Sequence, residues 1–395
     1  MLIQIILFLF LGILAGTLTG LIPGIHINTI GVFLIALSAS LLTNLNPIYF
    51  VVFISSMSIT HTFLDFIPSV FLGCPDSDTE LSILPGHDLL KQGKAYEAII
   101  LTAYGSISAI FILILISYPS ILIISKTYFL IEKLIPYILI LASLILILIE
   151  NKKFTASFVF IISGILGYIV LNLENLNQPL LPLLTGLFGS SALILSIKNK
   201  TKIPEQKITK PKTKILKPVF RSLIASPLCS FLPGMGSGQA AIIGNINSKL
   251  DNKGFLVLIG ATNTLVMGFS FILLYIISKT RTGAAVTIKE ILGNIETNIL
   301  ILILTIVFIS GIISFFLTIN LAKFFSNKFK KINYTFLSTI TLIILLIIVF
   351  ILSGFLGILI LIISTFTGIY CIQLNIRRTF MMGCLMIPTI LFYFL

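Results

Sequence analysis

The chain has 395 residues, 57 % of them hydrophobic and only 10 % charged, with 26 Lys and Arg against 13 Asp and Glu. That balance excludes a soluble fold. The excess of positive charge reads as positive-inside charge that orients helices, not as a nucleic-acid footprint.

Apolar runs of roughly 18–25 residues recur along nearly the whole length, as in spanning helices. A β-barrel would show short alternating segments instead. The expected fold class is therefore an all-α polytopic membrane protein, multi-pass in the cell membrane. The first run, residues 2–19, lacks a basic leader and a small-residue cleavage site, so we read it as part of the mature chain. Its Gly12, Gly16 and Gly20 form a small-residue stripe, expected to pack against a neighbouring helix of the same chain. The four cysteines have no close spacing and read as apolar packing residues, and no metal motif is present.

A Pro23-Gly24 break follows the first run, and residues 25–42 make a second arm. A helix starting near Pro47 carries Ser55, Ser56, Ser58, Thr60, His61, Thr62 and Asp65, which is very polar for a spanning segment. Pro68 is expected to bend or end it. A polar loop is expected over Asp76–Asp88, acidic at Asp76, Asp78 and Glu80 but without the glycine and ligand count of an EF-hand. Four apolar runs come next, at about 97–123, 127–149, 154–172 and 179–197.

Residues 198–221 change character. Nine Lys and Arg stand against Glu205 alone, with Pro204, Pro211 and Pro218. We read a cytoplasmic linker, 198–217, between a first membrane repeat, 1–197, and a second, 218–395. Membrane lipid headgroups are an expected partner of that charge.

The second half repeats the plan. An arm at about 219–232 meets Pro233-Gly234, and a short second arm runs to residue 249. A helix at about 254–278 carries Thr262-Asn263-Thr264, and a polar loop holds Lys279, Arg281 and Thr282. Apolar runs at about 291–319, 333–352, 354–373 and 378–395 follow. Counting crossings outward from the linker places Lys91, Lys94, Lys152, Lys153, Lys323–Lys331, Arg377 and Arg378 inside. The chain start and the loop at 279–290 fall outside. The expected architecture is two inverted-topology repeats, each a Pro-Gly-broken hairpin, a polar helix and four further spans. The second hairpin's arms, about 14 residues or ~21 Å each against a ~30 Å core, predict a re-entrant hairpin with its tip near the midplane.

Irregular backbone at such depth survives where protein or a watery cavity satisfies it. Two interrupted segments at matching places therefore point to a binding site near the midplane. After each break a new helix exposes unpartnered amides at its positive end, which suits a carboxylate or other oxyanion. The candidate substrate-binding residues are Gly24, His26, Asn28, Thr29, His61, Gly234, Gly236, Ser237, Gly238, Gln239 and Asn263. Asp65, with Thr62 and Thr264, is the candidate coupling-ion site for Na⁺ or a proton, since an intramembrane ionisable group is costly. The alternative for His61 and Asp65 is a structural pair, four residues apart on one helix face. No catalytic motif is present and no cofactor is expected beyond a coupling Na⁺. A channel or an exporter of another small or lipidic substrate is the alternative to a carrier.

The Pro-Gly hairpins opening each half, with Lys91-Gln92-Gly93-Lys94-Ala95 after the first-half loop, resemble the large permease subunit of tripartite tricarboxylate transporters, closest to its divergent archaeal branch. The resemblance spans essentially the full chain. It implies a cation-coupled permease for a small organic anion held between the two hairpins. It also implies two assisting proteins, a small membrane subunit and an extracytoplasmic binding protein. The chain departs from the pattern at His26-Ile27-Asn28, where a glycine-rich continuation is usual, and at Pro85-Gly86, where Asp-Gly is usual. Both departures lie near the presumed site.

Overall fold

The computed structural model describes residues 2–22, 46–72, 79, 82–176, 178–198, 204–231, 237–245, 250–278, 282–328 and 334–394. Among the described residues the regular structure is all helical. Seven helices are long and apolar enough to cross a bilayer. The chain is a multi-pass membrane protein.

Helix α1 is Leu2–Leu21 and α2 is Pro47–Leu64. Asn46 starts α2 by accepting from the Ile48 amide at 3.0 Å, and Pro47 fits the first turn because no intrahelical donor is needed there. The two helices run in the same direction. A Cβ on Gly12 would lie 2.0 Å from Ser56 Oγ, on Gly16 2.4 Å from Met57 O, and on Gly20 2.8 Å from Leu64 Cβ. The glycine stripe thus packs within the chain, as the spacing predicts. At the other end of the pair Tyr49 hydrogen-bonds Gln4.

The break in the polar segment falls at Asp65, three residues before the expected Pro68. Proline has no N–H, so the carbonyl of Leu64 loses its helical donor and the bend appears one turn upstream of the ring. Helix α3, Phe66–Leu72, continues beyond it. Helix α4, Ile83–Lys91, replaces the second part of the loop expected over Asp76–Asp88. Its pattern is amphipathic, and the Pro85-Gly86 pair that reads as a turn sits inside it, with Pro85 in the first turn where proline is tolerated.

Helix α5, Ala95–Ile149, joins two apolar runs that read as separate spans. A straight helix of that length would measure ~80 Å. It serves instead as two apolar limbs, Ala95–Tyr128 and Pro136–Ile149, with Pro119 and Pro136 each removing a backbone donor. Then come α6, Lys153–Leu171, α7, Leu180–Leu184, a π-helical turn over Thr185–Ser190, and α8, Ser191–Lys198.

The second half opens with α9, Leu216–Phe231, and α10, Ser237–Asn245. Helix α10 has 9 residues, ~14 Å, and cannot cross a ~30 Å core. Gly244 at its end lies against the Arg221 carbonyl, so α10 folds back along α9. Helix α11, Asn252–Ile277, is capped by Asp251, whose carboxylate accepts from the Gly254 amide at 2.9 Å. Helix α12, Gly283–Leu292, occupies most of what reads as the loop at 279–290. Helix α13 is Thr297–Lys328. Helix α14, Tyr334–Gln373, is two spans meeting at Gly354, whose φ of 66° only glycine adopts freely. A 3₁₀ turn, Arg378–Met382, leads into α15, Gly383–Phe394.

Contacts between the halves come in matched sets. Polar helix α2 packs on α13 and α12 of the other half, and polar helix α11 packs on α5 and α4. Likewise α6 packs on α15, while α14 packs on α7, the π turn and α8. Corresponding helices that touch run antiparallel. Along α5 and α13, Tyr104 stacks on Phe315 and Phe111 meets Phe308 edge-on. Along α6 and the second span of α14, Phe158 meets Tyr370, and just before α6 Glu150 pairs with Arg377 at 3.2 Å. The polar helices are the centre of the assembly: 94 % of the α2–α3 span window and 100 % of the α11 window are buried by the other helices.

Candidate functional site

Most hydroxyls in the spans donate back to their own helix, as Ser58 does to Ser55 O and Thr262 to Ile259 O. Such groups satisfy themselves and join nothing. A small set bridges helices; some join outer helices, as Ser190 with Thr365, and several lie where α2 and α11 cross.

Asn263 Nδ2 of α11 donates to Asp65 Oδ2 at 2.8 Å. Thr62 and Thr264 face each other with their hydroxyl oxygens 3.3 Å apart. Thr62 directs its proton to Ile59 O at 2.9 Å, which makes Thr264 the donor of the pair. Phe66, next to Asp65, belongs to one apolar cluster with Ala241 of α10 and Leu258 and Ile259 of α11. The crossing is antiparallel, and Thr62 and Thr264 hold the same place in the two Thr-x-Thr triplets.

His61 sits on the same helix, 3.0 Å through Nδ1 from Thr19 Oγ1 in the last turn of α1. The Thr19 hydroxyl also reaches Gly16 O at 3.2 Å. His61, Asp65 and Asn263 are each 3 % exposed. Burial of a carboxylate at such depth is costly, and the Asn263 amide offsets part of the cost by charge-assisted hydrogen bonding.

Asp65, Thr62, Thr264 and Asn263, all sequence candidates, thus meet at the crossing, while His61 of the same helix contacts Thr19 of α1. Ser237 and Gly238 are buried in the first turn of α10. Ala240 in that turn packs in one cluster with Cys229 of α9 and with Val266, three residues on from Asn263. Gln239 lies on α10, but its side chain is outside the described residues. Gly24, His26, Asn28, Thr29, Gly234 and Gly236 also lie outside them.

Sequence reasoning missed the supports. Ser314 of α13 donates to Thr60 Oγ1 at 2.9 Å, and Ser106 of α5 donates to Gly260 O at 3.0 Å. Each holds one polar helix to the half opposite. Two further tethers follow the polar helices. Ser69 meets Ser82 at 2.8 Å, just before α4 begins, and Thr282 donates to Ser270 at 2.7 Å, just before α12 begins. Thr79, Ser69 and Ser82 are fully buried. Aligning the halves on their Thr-x-Thr triplets brings Ser69 to within a residue of Ser270 and Ser82 to within two of Thr282, a signal present in the sequence.

The profile of the tripartite tricarboxylate transporter TctA family matches residues 6–383. The chain belongs to the TctA family. An uncharacterized protein of Methanocaldococcus jannaschii is 34 % identical over 400 residues, covering 98 % of each chain. No solved structure matches. TctA proteins are transporters, the large membrane subunits of tripartite systems that also use a small membrane subunit and a binding protein. Membership makes this chain a permease of the tricarboxylate-transporter type.

Proposed function

We propose that this TctA protein is a secondary-active permease for a small organic anion of the carboxylate class, driven by Na⁺ or protons, with inverted repeats that close around a central site. One observation carries the reading: the antiparallel crossing of α2 and α11 joins Asp65 to Asn263 and Thr62 to Thr264 in the buried centre of the molecule. The antiparallel pairs α5 with α13 and α6 with the second span of α14 support the inversion.

A permease needs a place where an anion and its driving cation lose water together. Hydroxyl and carboxylate oxygens of Thr62, Thr264 and Asp65 are hard donors suited to Na⁺, and the Asp65 carboxylate is equally able to take a proton. The start of α10, with Ser237 and Gly238, offers backbone amides and the positive end of a helix dipole to an anion. His61 adds positive charge when protonated. Cation at Asp65 and anion at the helix start then offset each other's burial, which is the physical basis of coupling. Residues 23–30 and 232–236, with His26, Asn28, Thr29, Gly24, Gly234 and Gly236, complete the substrate side in this reading. A small membrane subunit and an extracytoplasmic binding protein are the proposed partners.

Purified protein in proteoliposomes tests this. Uptake of di- or tricarboxylates should follow an imposed Na⁺ or proton gradient, with the binding protein added where needed. Gradient-independent passive flux would indicate a channel, and absence of any organic-anion transport would remove the substrate class.

A further inference from the structure

The linker between the halves is not a loose tether. Residues 204–215 run without helix, and their start is fixed to the turn before α5. Gln206 is 4 % exposed. Its Oε1 accepts from the Ala95 amide at 2.9 Å, and its Nε2 donates to Leu90 O at 3.1 Å and to Pro204 O at 2.7 Å. The Lys207 amide donates to Gly93 O at 2.7 Å. Gly93 has a φ of 75°, and a Cβ there would lie 2.7 Å from the Glu205 carbonyl. Thr209 donates to Glu97 Oε2 at 3.4 Å, and Glu97 also pairs with Lys253 at the start of α11.

Beyond the clamp, exposure alternates residue by residue. Thr209, Pro211, Thr213 and Ile215 are half-covered, while Ile208, Lys210, Lys212, Lys214 and Leu216 face outward. An extended chain presents alternate side chains on one edge, ~6.6 Å apart. The outward edge therefore reads apolar, Lys, Lys, Lys, apolar over ~26 Å. Among the described residues, no carboxylate forms an ion pair with those three lysines. The edge also lies level with helix starts. Its clamp holds Ala95, the first residue of one span, and it ends at Leu216, the first residue of α9 and 87 % exposed.

We propose that this edge is a binding surface for anionic phospholipid headgroups, with Lys210, Lys212 and Lys214 contacting the phosphates and Ile208 and Leu216 dipping into the boundary below. An acidic protein would be met by the lysines alone. The two exposed apolar side chains on the same edge fit a membrane surface, where apolar and basic groups are both accommodated. The clamp matters because it removes the ordering cost that a free linker would meet on binding.

Native mass spectrometry of the detergent-purified full chain, titrated with phosphatidylglycerol or phosphatidylcholine, tests the surface. Wild type should prefer phosphatidylglycerol. Each Lys→Gln change should weaken that binding about fivefold, and the triple variant on the order of a hundredfold. Lys323→Gln, exposed elsewhere, should leave it unchanged. Trypsin gives a readout without mutation: the linker of wild type should be cleaved more slowly in nanodiscs containing phosphatidylglycerol than in phosphatidylcholine alone. Equal binding of the two lipids, full retention in the triple variant, or displacement of the lipid by inorganic phosphate alone would overturn the proposal.

Discussion

Asn263 of the second half donates a hydrogen bond of 2.8 Å to the Asp65 carboxylate of the first. The bond ties a buried carboxylate of the spans to a residue 198 positions away, at the point where the two polar helices cross. Replacing Asn263 with Ala removes a donor from a buried carboxylate, at a cost of about 1–3 kcal/mol. Asn263→Ala should therefore lower the unfolding midpoint in detergent. Asn263→Asp should cost more, because it sets a second carboxylate against the first.

Thr62 and Thr264 test the crossing without reference to transport. With their oxygens 3.3 Å apart, a Thr62→Cys/Thr264→Cys variant should bind mercuric ion as a bridge between the halves. After cleavage of the linker by trypsin, the bridged halves should migrate together on a denaturing gel and separate on adding a thiol. Either single variant should separate with or without mercury.

Close backbone contact is the basis of helix packing here, as expected where lipid supplies little hydrophobic drive. A Cβ on Gly105 would lie 2.1 Å from Val257 O, and one on Gly260 2.1 Å from Thr102 O. Both atoms belong to backbone and cannot swing aside. Gly105→Ala and Gly260→Ala should each destabilise by about 1–3 kcal/mol, read as a lower melting temperature. Gly293→Ala, where nothing lies within 4 Å but φ is 71° and ψ is −119°, should destabilise through backbone strain alone, by about 1–3 kcal/mol.

The Glu97–Lys253 pair joins the halves beside the linker. Glu97 is 4 % exposed and its partner side chain about a third exposed. Lys253→Met should destabilise by about 2 kcal/mol, less than for a fully buried pair because water reaches the lysine. The swap Glu97→Lys/Lys253→Glu should recover part of the loss, and because it removes the carboxylate that accepts from Thr209, it should speed tryptic cleavage of the linker.

Much of this molecule was legible in its sequence because a bilayer permits so few arrangements of backbone. The spans at α1, α6, α11 and both parts of α14 follow from apolar length alone, down to the division at Gly354. The polar character of α2 and α11 was legible as two Thr-x-Thr triplets, although sequence alone did not show that Asp65 and Asn263 bond directly. Helices α4 and α12 were not legible. They are short, amphipathic and rich in turn residues such as Pro85, Gly86 and Gly283, and burial of α4 against α3, α5 and α11 and of α12 against α2 overrides that local preference. The bend at Asp65 was displaced from Pro68 because a proline acts on the carbonyl four residues earlier. The roles of Thr19, Ser106 and Ser314 were hidden because a hydroxyl in a span usually bonds its own helix, and only tertiary contact distinguishes the few that reach across.

The central claim is that Asp65 couples a cation to anion movement. Wild type and Asp65→Asn in matched proteoliposomes, loaded with one transported carboxylate, decide it by comparing gradient-driven accumulation with carboxylate exchange at equilibrium. Asp65→Asn should fail to accumulate substrate against a Na⁺ or proton gradient by at least about tenfold relative to wild type, as expected when an essential charge interaction is lost, while still exchanging it. Undiminished gradient-driven accumulation by Asp65→Asn would contradict the account and leave Asp65 as a structural partner of Asn263.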